Sequence, residues 1–85
     1  MLTFNYVITD NEGIHARPAG ELAKLVKGMD SKVTLVKEEK RANAAKVLAI
    51  MSLGAKYGHS IDVWVEGGDE AGNLAKLEAV MKENL

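Results

Sequence analysis

Residues 2–28 read LTFNYVITDNEGIHARPAGELAKLVKG, and this stretch decides how the chain folds. Over residues 2–8, large apolar side chains recur at every second position, which predicts a strand with one face on a core. Those side chains belong to Leu2, Phe4, Tyr6 and Ile8. A polar turn follows at residues 10–13, and apolar side chains then recur at helical spacing over residues 16–27. The stretch therefore predicts a strand, a turn and a helix.

Both ends of this first helix carry recognisable signals. Pro18 is the only proline in the chain, and it falls in the first turn, where its missing N–H has no intrahelical partner. At the other end, Gly28 suits a left-handed C-cap. Lys24 and Lys27 lie near the negative end of the helix dipole.

The rest of the chain repeats the same two periodicities. Residues 32–37 alternate and predict a second strand, and residues 40–43 predict a short third strand that completes a hairpin. Residues 44–53 are rich in Ala, Leu and Met, which favours a helix. Residues 61–66 alternate again as a fourth strand, and Asp69 is the expected N-cap of a third helix. The predicted order is βαββαβα.

Four strands with one apolar face and three amphipathic helices predict a two-layer α/β sandwich. The 85 residues are enough for a single domain, over residues 1–85. The short connection after the second strand favours an antiparallel hairpin, whereas periodicity alone does not fix the strand order. The helices should cover one sheet face and leave the other in water, with Trp64 on the wet face or its edge.

Composition narrows the possible functions. The chain has 11 basic and 12 acidic residues and a net charge of -1, which argues against nucleic-acid binding. It has no cysteine, so disulfides, thiolate zinc sites and thiol catalysis are excluded. No apolar run approaches the roughly 18 residues of a membrane span, and no signal-peptide pattern is seen. We expect a cytoplasmic monomer without membrane insertion.

The segment Gly13–Ala19, GIHARPA, places His15 at the end of a turn, directly before the first helix. The N–H groups and dipole of a helix N-terminus attract anions and disfavour imidazolium, which keeps a ring nitrogen unprotonated and nucleophilic. Arg17 offers a planar fork of donors to phosphate oxygens, and Pro18 stiffens the turn. With Ala16 completing the first turn, the segment predicts a site that takes a phosphoryl group on His15.

Simpler interpretations of the histidines stay open. A lone histidine before a helix is often a cap or a solvated surface residue, and this applies to His15. His59 lies in a Gly-Ser turn and is expected to be a turn residue. Two histidines without organised carboxylates do not make a metal site, so no metal is expected. The chain also lacks a glycine-rich P-loop, so no nucleotide cofactor is expected.

The second predicted helix is apolar nearly all round. Val47, Leu48 and Met51 lie on one arc of it, and an exposed patch of this kind is a candidate docking surface. The alternative is that all three are core residues. Lys24 and Lys27, together with the nearby arginine, form a candidate basic rim for an acidic partner, the alternative being a solvated helix face.

Two motifs together resemble the HPr family, the histidine-containing phosphocarriers of the sugar phosphotransferase system. Gly13–Ala19 is similar to the family's active-site motif. Ile50–Gly54, IMSLG, is similar to its second-helix motif and lies at the same distance from the histidine. The resemblance covers essentially the whole chain in length and element order.

The resemblance implies an open-faced β-sandwich with a four-stranded antiparallel sheet and three helices on one face. It implies that His15 accepts a phosphoryl group on Nδ1 from enzyme I, which takes it from phosphoenolpyruvate, and passes it to an enzyme IIA domain. Arg17 would steady the phosphate. The partner surface would include an apolar patch and two basic positions, namely Val47, Leu48, Met51, Lys24 and Lys27.

Three positions depart from the family pattern. Lys46 stands where Gram-positive members carry a regulatory serine, and a lysine offers no hydroxyl, so serine-kinase control is not expected. Gly20 replaces a residue that is often a small hydroxyl residue, and Ala49 replaces a glycine. These changes bear on partner choice.

The favoured hypothesis is a covalently modified phosphoryl shuttle, without turnover of its own. A rival is a regulatory paralogue, as in a nitrogen branch of the same system, in which phosphorylation of His15 switches binding to a partner such as a transcriptional regulator. A structural α/β domain without chemistry is a third possibility.

Overall fold

The computed structural model describes residues 1–85 and contains the seven predicted elements in the predicted order. They are β1 (Leu2–Val7), α1 (Ala16–Lys27), β2 (Lys32–Lys37), β3 (Lys40–Asn43), α2 (Val47–Ser52), β4 (Ser60–Glu66) and α3 (Glu70–Asn84). The strands form one sheet in the order β1-β4-β2-β3, and every neighbouring pair is antiparallel. The predicted open-faced sandwich, with three helices on one sheet face, is confirmed.

The register of β4 with its two neighbours shows which side chains form the apolar face of the sheet. Val63 on β4 lies opposite Phe4 on β1 and Leu35 on β2. Val63 and Leu35 are fully buried and Phe4 is half-buried. Because successive side chains point to opposite faces, the neighbouring Trp64 lies on the other face. There the guanidinium of Arg41 covers its ring at 4.7 Å from the centroid, so the expectation that Trp64 avoids the core is confirmed.

The helices supply the second layer. Leu22 and Val26 on α1, Ile50 on α2, and Leu77 and Met81 on α3 are buried in one core with the apolar side chains of the sheet. These positions recur at three- to four-residue spacing, which is why one face of each longer helix is apolar. None of the helices is long and apolar enough to cross a membrane.

The predicted second helix, residues 44–53, is too long. In the structure α2 begins after Lys46, which is extended, and ends at Ser52. The preceding residues form a turn in which the Asn43 side chain accepts a hydrogen bond of 2.9 Å from the N–H of Ala45. The chain needs this turn to leave β3, so tertiary geometry overrides the helix propensity of the alanines.

The helix caps are partly as expected. Asp69 is the N-cap of α3, and its side chain accepts from the N–H of Gly72 at 3.1 Å. The left-handed C-cap predicted at Gly28 is wrong, since its φ is -88°. Instead the N–H of Gly28 donates to the carbonyl of Leu25 at 3.2 Å, a tight final turn that satisfies a helix carbonyl without a left-handed residue.

Candidate functional site

The loop between β1 and α1 is built around Gly13. Its φ is +69°, a value that favours glycine, and its N–H donates to the carbonyl of Asp10 at 3.0 Å. A Cβ at this position would lie 2.5 Å from the carbonyl oxygen of Ala55. The next residue, Ile14, is buried and donates its N–H to that same oxygen at 3.0 Å. The loop therefore packs directly against the segment that follows α2.

His15 is the N-cap residue of α1, with an extended backbone. Its carbonyl accepts the N–H of Ala19 at 3.0 Å, but its side chain makes no capping hydrogen bond. The side chain is 32% exposed. The ring is therefore held at a helix N-terminus and remains accessible, as the motif predicts, and it is not engaged as a cap.

The first turn of α1 has donors without acceptors. The N–H groups of Ala16 and Arg17 make no hydrogen bond to another backbone group, and both residues are exposed. Pro18 has no N–H to offer and is buried. Two N–H groups beside His15 are thus available to an anion, and the helix dipole favours negative charge at the same place.

Two carboxylates lie next to the histidine ring. His15 Nε2 is 3.4 Å from Glu12 Oε2 and 3.8 Å from Asp10 Oδ2. The expectation that no carboxylates are organised around either histidine is therefore wrong for His15. The turn at Gly13 folds residues 10 and 12 back toward residue 15, which sequence spacing does not show. The nearest side-chain oxygen and nitrogen atoms of the three residues lie within 4.8 Å of one another, so the histidine and the two carboxylates form one cluster.

Arg17 reaches the same site. Its Nη1 donates to the side-chain oxygen of Asn84 on α3 at 3.3 Å, and the Asn84 amide donates to the carbonyl of Val80 at 2.8 Å. Both Arg17 and His15 line one open depression of polar side chains. The lining residues are Thr9, Asp10, Asn11, Glu12, His15 and Arg17. The guanidinium therefore lies at the site, but in this structure it is hydrogen-bonded to Asn84 of α3.

Leu85 ties the beginning of this loop to the end of α3. Its backbone oxygen accepts the N–H of Thr9 at 2.5 Å, the N–H of Asp10 at 2.7 Å and the hydroxyl of Thr9 at 2.8 Å. This anchor was not predicted, because it joins residues that lie far apart in the sequence. It fixes the point at which the chain leaves β1 and enters the polar turn.

The chain resembles proteins of known function over nearly its full length. The family model described as "PTS HPr component phosphorylation site" matches residues 2–83. The chain belongs to the HPr family. As a member it is a phosphocarrier protein of the phosphotransferase system, and a role in sugar transport follows from the family.

HPr proteins from several bacteria share both sequence and fold with this chain. The phosphocarrier protein HPr of Mycoplasma capricolum is 36% identical over 81 residues, covering 95% of this chain and 91% of its own. A solved mycoplasma histidine-containing phosphocarrier protein superposes with a TM-score of 0.93 at 30% identity, covering 96% and 93% of the two chains.

A further relative bears on oligomeric state. The Bacillus subtilis catabolite repression protein Crh superposes with a TM-score of 0.77 at 29% identity, covering 100% of this chain and 98% of its own, and is described as a domain-swapped dimer. The monomer that the sequence predicts therefore stays a prediction.

Helix α2 presents apolar side chains to the surface. On α2, Leu48 is 82% exposed and Met51 is 37% exposed, while Val47 is half-buried. Ile50 on the same helix is fully buried. Between the two interpretations left open by the sequence, exposure therefore favours a patch at Leu48 and Met51, and Val47 lies at its edge.

The basic positions of α1 are exposed. Lys24 and Lys27 are both exposed, and neither takes part in an ion pair within the protein. Helix α1 contacts α2, so the basic and apolar positions lie on neighbouring helices. Both lysines are available to a partner.

The departures from the HPr pattern have distinct environments. Lys46 is exposed and precedes α2 without a side-chain cap. Ala49 and Gly20 are half-buried, and a Cβ at Gly20 would meet nothing within 4 Å. His59 is the turn residue expected, since its Nδ1 accepts the N–H of Lys56 at 3.0 Å.

A carboxyl with a lowered pKa next to the N-terminus of α3 lies outside this site. Hydrogen bonds from the side chain of Asn73 and from the backbone N–H of Asp69 lower the pKa of Asp30 below its ordinary value. The Asn73 amide donates to Asp30 Oδ1 at 2.8 Å. This contact joins the segment before β2 to the N-terminus of α3 and stabilises the fold rather than the histidine site.

Proposed function

We propose that His15 of this HPr-family protein accepts a phosphoryl group on Nδ1 from phosphorylated enzyme I and passes it to an enzyme IIA domain in the cytoplasm. The observation that carries this proposal is the placement of an accessible ring at the N-terminus of α1, beside two N–H groups without acceptors. Residues 1–85 act in this transfer as one domain.

The transfer exchanges one nitrogen–phosphorus bond for another. The bond to the donor histidine of enzyme I breaks as the lone pair of His15 Nδ1 forms the new bond to phosphorus. The close polar contacts of the His15 ring are made through Nε2. Nδ1 is therefore free to attack phosphorus. The step as written needs neither a nucleotide nor a metal ion, since the phosphoryl group passes directly from the donor to the His15 ring.

Donors already near the ring stabilise the phosphoryl oxygens. The N–H groups of Ala16 and Arg17 point from a positively polarised helix end, where an anion is favoured. The Arg17 guanidinium adds a charged fork of donors, which suits phosphate oxygens better than a single ammonium does. Its bond to Asn84 is long, at 3.3 Å, and exposed, so it is exchanged for phosphate at little cost.

Partners dock on the neighbouring surface. The apolar patch, which we define as Val47, Leu48 and Met51, supplies exposed hydrophobic area, and such clusters carry much of the energy of an interface. Lys24 and Lys27 steer an acidic partner toward it. Enzyme I and enzyme IIA use this surface one after the other.

Control through a second phosphorylation site is not expected at Lys46. The side chain has no hydroxyl for a serine kinase, and its exposed ammonium adds positive charge beside the apolar patch. An acidic docking surface on the partner is favoured by this charge.

Incubation of the protein with enzyme I and phosphoenolpyruvate tests the proposal. We expect one acid-labile phosphate on the wild-type protein and none on His15→Ala. His59→Ala is the matched control, because His59 is a turn residue remote in function, and it should be labelled like wild type. Equal labelling of His15→Ala, or an unlabelled wild type, refutes the proposal.

A further inference from the structure

Two acidic side chains are directed at a single nitrogen of His15. Glu12 Oε2 lies 3.4 Å and Asp10 Oδ2 lies 3.8 Å from Nε2. Neither carboxylate pairs with a lysine or an arginine. The other charged group that lines the depression is Arg17, and its guanidinium is bonded to Asn84. The ring is therefore the group on which both negative charges act.

The backbone of the loop holds this arrangement in place. The N–H of Glu12 donates to Asp10 Oδ1 at 2.8 Å, and the N–H of Asp10 donates to the oxygen of Leu85 at 2.7 Å. Asp10 Oδ1 is thus occupied, which turns Oδ2 toward the ring. The Asp10 side chain is 27% exposed and the Glu12 side chain 75%, so Asp10 is the fixed member and Glu12 the closer and more exposed one.

We propose that Glu12, together with Asp10, is a positioning residue that keeps the ring proton of His15 on Nε2 and leaves the lone pair on Nδ1. A neutral imidazole has one N–H and one bare nitrogen, and the partner of one nitrogen decides the state of the other. Ionised carboxylates only accept hydrogen bonds, so the nitrogen that faces them carries the hydrogen. This inference rests on the proposed function, since it selects the nitrogen used for transfer.

The same carboxylates act on the phosphorylated ring. When Nδ1 donates its lone pair to phosphorus and the donor's nitrogen–phosphorus bond breaks, the proton on Nε2 stays where it is. The ring then carries positive charge, and that charge lies next to Glu12 and Asp10. Opposite charge at this distance stabilises the cationic ring. The N–H groups at the helix N-terminus donate to the phosphoryl oxygens instead.

Long-range proton–nitrogen NMR spectra of the unphosphorylated protein test the proposal directly, because the two ring nitrogens give different shifts in each tautomer. Spectra are recorded at about pH 8, where an ordinary imidazole is neutral. We expect the Nε2–H tautomer to dominate in wild type. In Asp10→Asn/Glu12→Gln the ratio of Nε2–H to Nδ1–H should fall roughly two- to fivefold, the range of an exposed charge interaction.

Matched variants keep the test sharp. Glu21→Gln removes an exposed carboxylate from α1 and should leave the tautomer ratio unchanged. Glu12→Gln alone should lower the tautomer ratio by part of this amount. Because the Glu12 side chain is exposed, the substitution should not change the stability of the fold. Asp10→Asn keeps an oxygen to accept the N–H of Glu12, so the turn is retained.

An unchanged ratio in the double variant, or a majority of Nδ1–H in wild type, overturns the proposal. The measurement is made without enzyme I, so its failure leaves phosphorylation of His15 intact as a proposal. Absence of phosphorylation in wild type would instead remove the proposed function, whatever tautomer the free ring adopts. The two failures are therefore told apart.

Discussion

The backbone N–H of Ile14 donates a 3.0 Å hydrogen bond to the carbonyl oxygen of Ala55. This bond joins the residue before His15 to the segment that follows α2. Helix α2 itself carries the apolar patch. The loop that carries His15 is thereby tied to the segment beside the helix that carries Leu48 and Met51. Under the proposed function, a partner that docks on α2 meets the histidine in a fixed place.

Gly13→Ala should disrupt this junction. The residue has a φ of +69° and a Cβ would lie 2.5 Å from the Ala55 oxygen. Backbone strain alone costs about 1–3 kcal/mol, and the clash adds to it. Urea denaturation measures the loss. Gly20→Ala is the control, because a Cβ there meets nothing within 4 Å, and it should stabilise the helix by about 0.5–1 kcal/mol. A Gly13→Ala protein as stable as wild type would contradict the role given to this turn.

Arg17→Gln should slow phosphorylation by enzyme I while leaving the fold intact. Hydrogen bonds from a charged group are worth about 1.5–3 kcal/mol, or roughly 10- to 100-fold in rate when the charge is lost. Initial rates of label transfer measure the effect. Asn84→Ala removes the other partner of the guanidinium and should change the rate by less than about threefold. If both variants behave alike, Arg17 acts through α3 and not on the phosphate.

Leu48→Ala should weaken docking without changing stability. Leu48 is 82% exposed, and exposed substitutions shift the free energy of unfolding by less than about 0.5 kcal/mol. Affinity for enzyme I, measured by calorimetry, should fall roughly five- to thirtyfold, as for loss of a good interface contact.

Ile50→Ala is the reverse control on the same helix. Ile50 is fully buried, so truncation should cost about 2–5 kcal/mol of stability. A folded Leu48→Ala protein that binds enzyme I like wild type would show that the apolar patch is not the docking surface.

Acid should remove the stabilising contribution of Asp30. Hydrogen bonds from Asn73 and from the N–H of Asp69 lower the pKa of this carboxyl in the folded protein. Its contribution is therefore full above the pKa of the unfolded chain and is lost as pH falls through the lower, folded value. The stability advantage of wild type over Asp30→Asn, measured in urea, should shrink from about pH 6 to about pH 2.

The matched control for Asp30 is Glu39→Gln. Glu39 is exposed in the turn between β2 and β3, and removing its charge should alter stability little at either pH. An advantage of wild type over Asp30→Asn that persists unchanged in acid would mean that the hydrogen-bonded carboxylate is not its source.

Local pattern was enough for most of the fold. Alternation in residues 2–8 and helical spacing in residues 16–27 located β1 and α1, because both periods follow from how side chains leave the backbone. Strand order was not accessible, since β4 lies between β1 and β2 and alternation says nothing about partners. The start of α2 was missed because the turn at Asn43 is imposed by the exit from β3.

The sequence places His15 and Arg17 at the start of α1, where the structure has them, but it does not predict the acidic residues beside them. The motif places a histidine at a helix start, which is a local property. The approach of Asp10 and Glu12 to Nε2 depends on the turn at Gly13, which bends the chain back on itself. The anchor between Thr9 and Leu85 depends on tertiary packing, and no local sequence signal reports it.

A 31P NMR spectrum of the protein after incubation with enzyme I and phosphoenolpyruvate tests the carrier role most directly. With nitrogen-labelled histidine, we expect one resonance coupled to Nδ1 of His15, which disappears in acid and when enzyme IIA is added. A spectrum without a phosphohistidine signal, or one in which the phosphorus is bonded to any other residue, would contradict it.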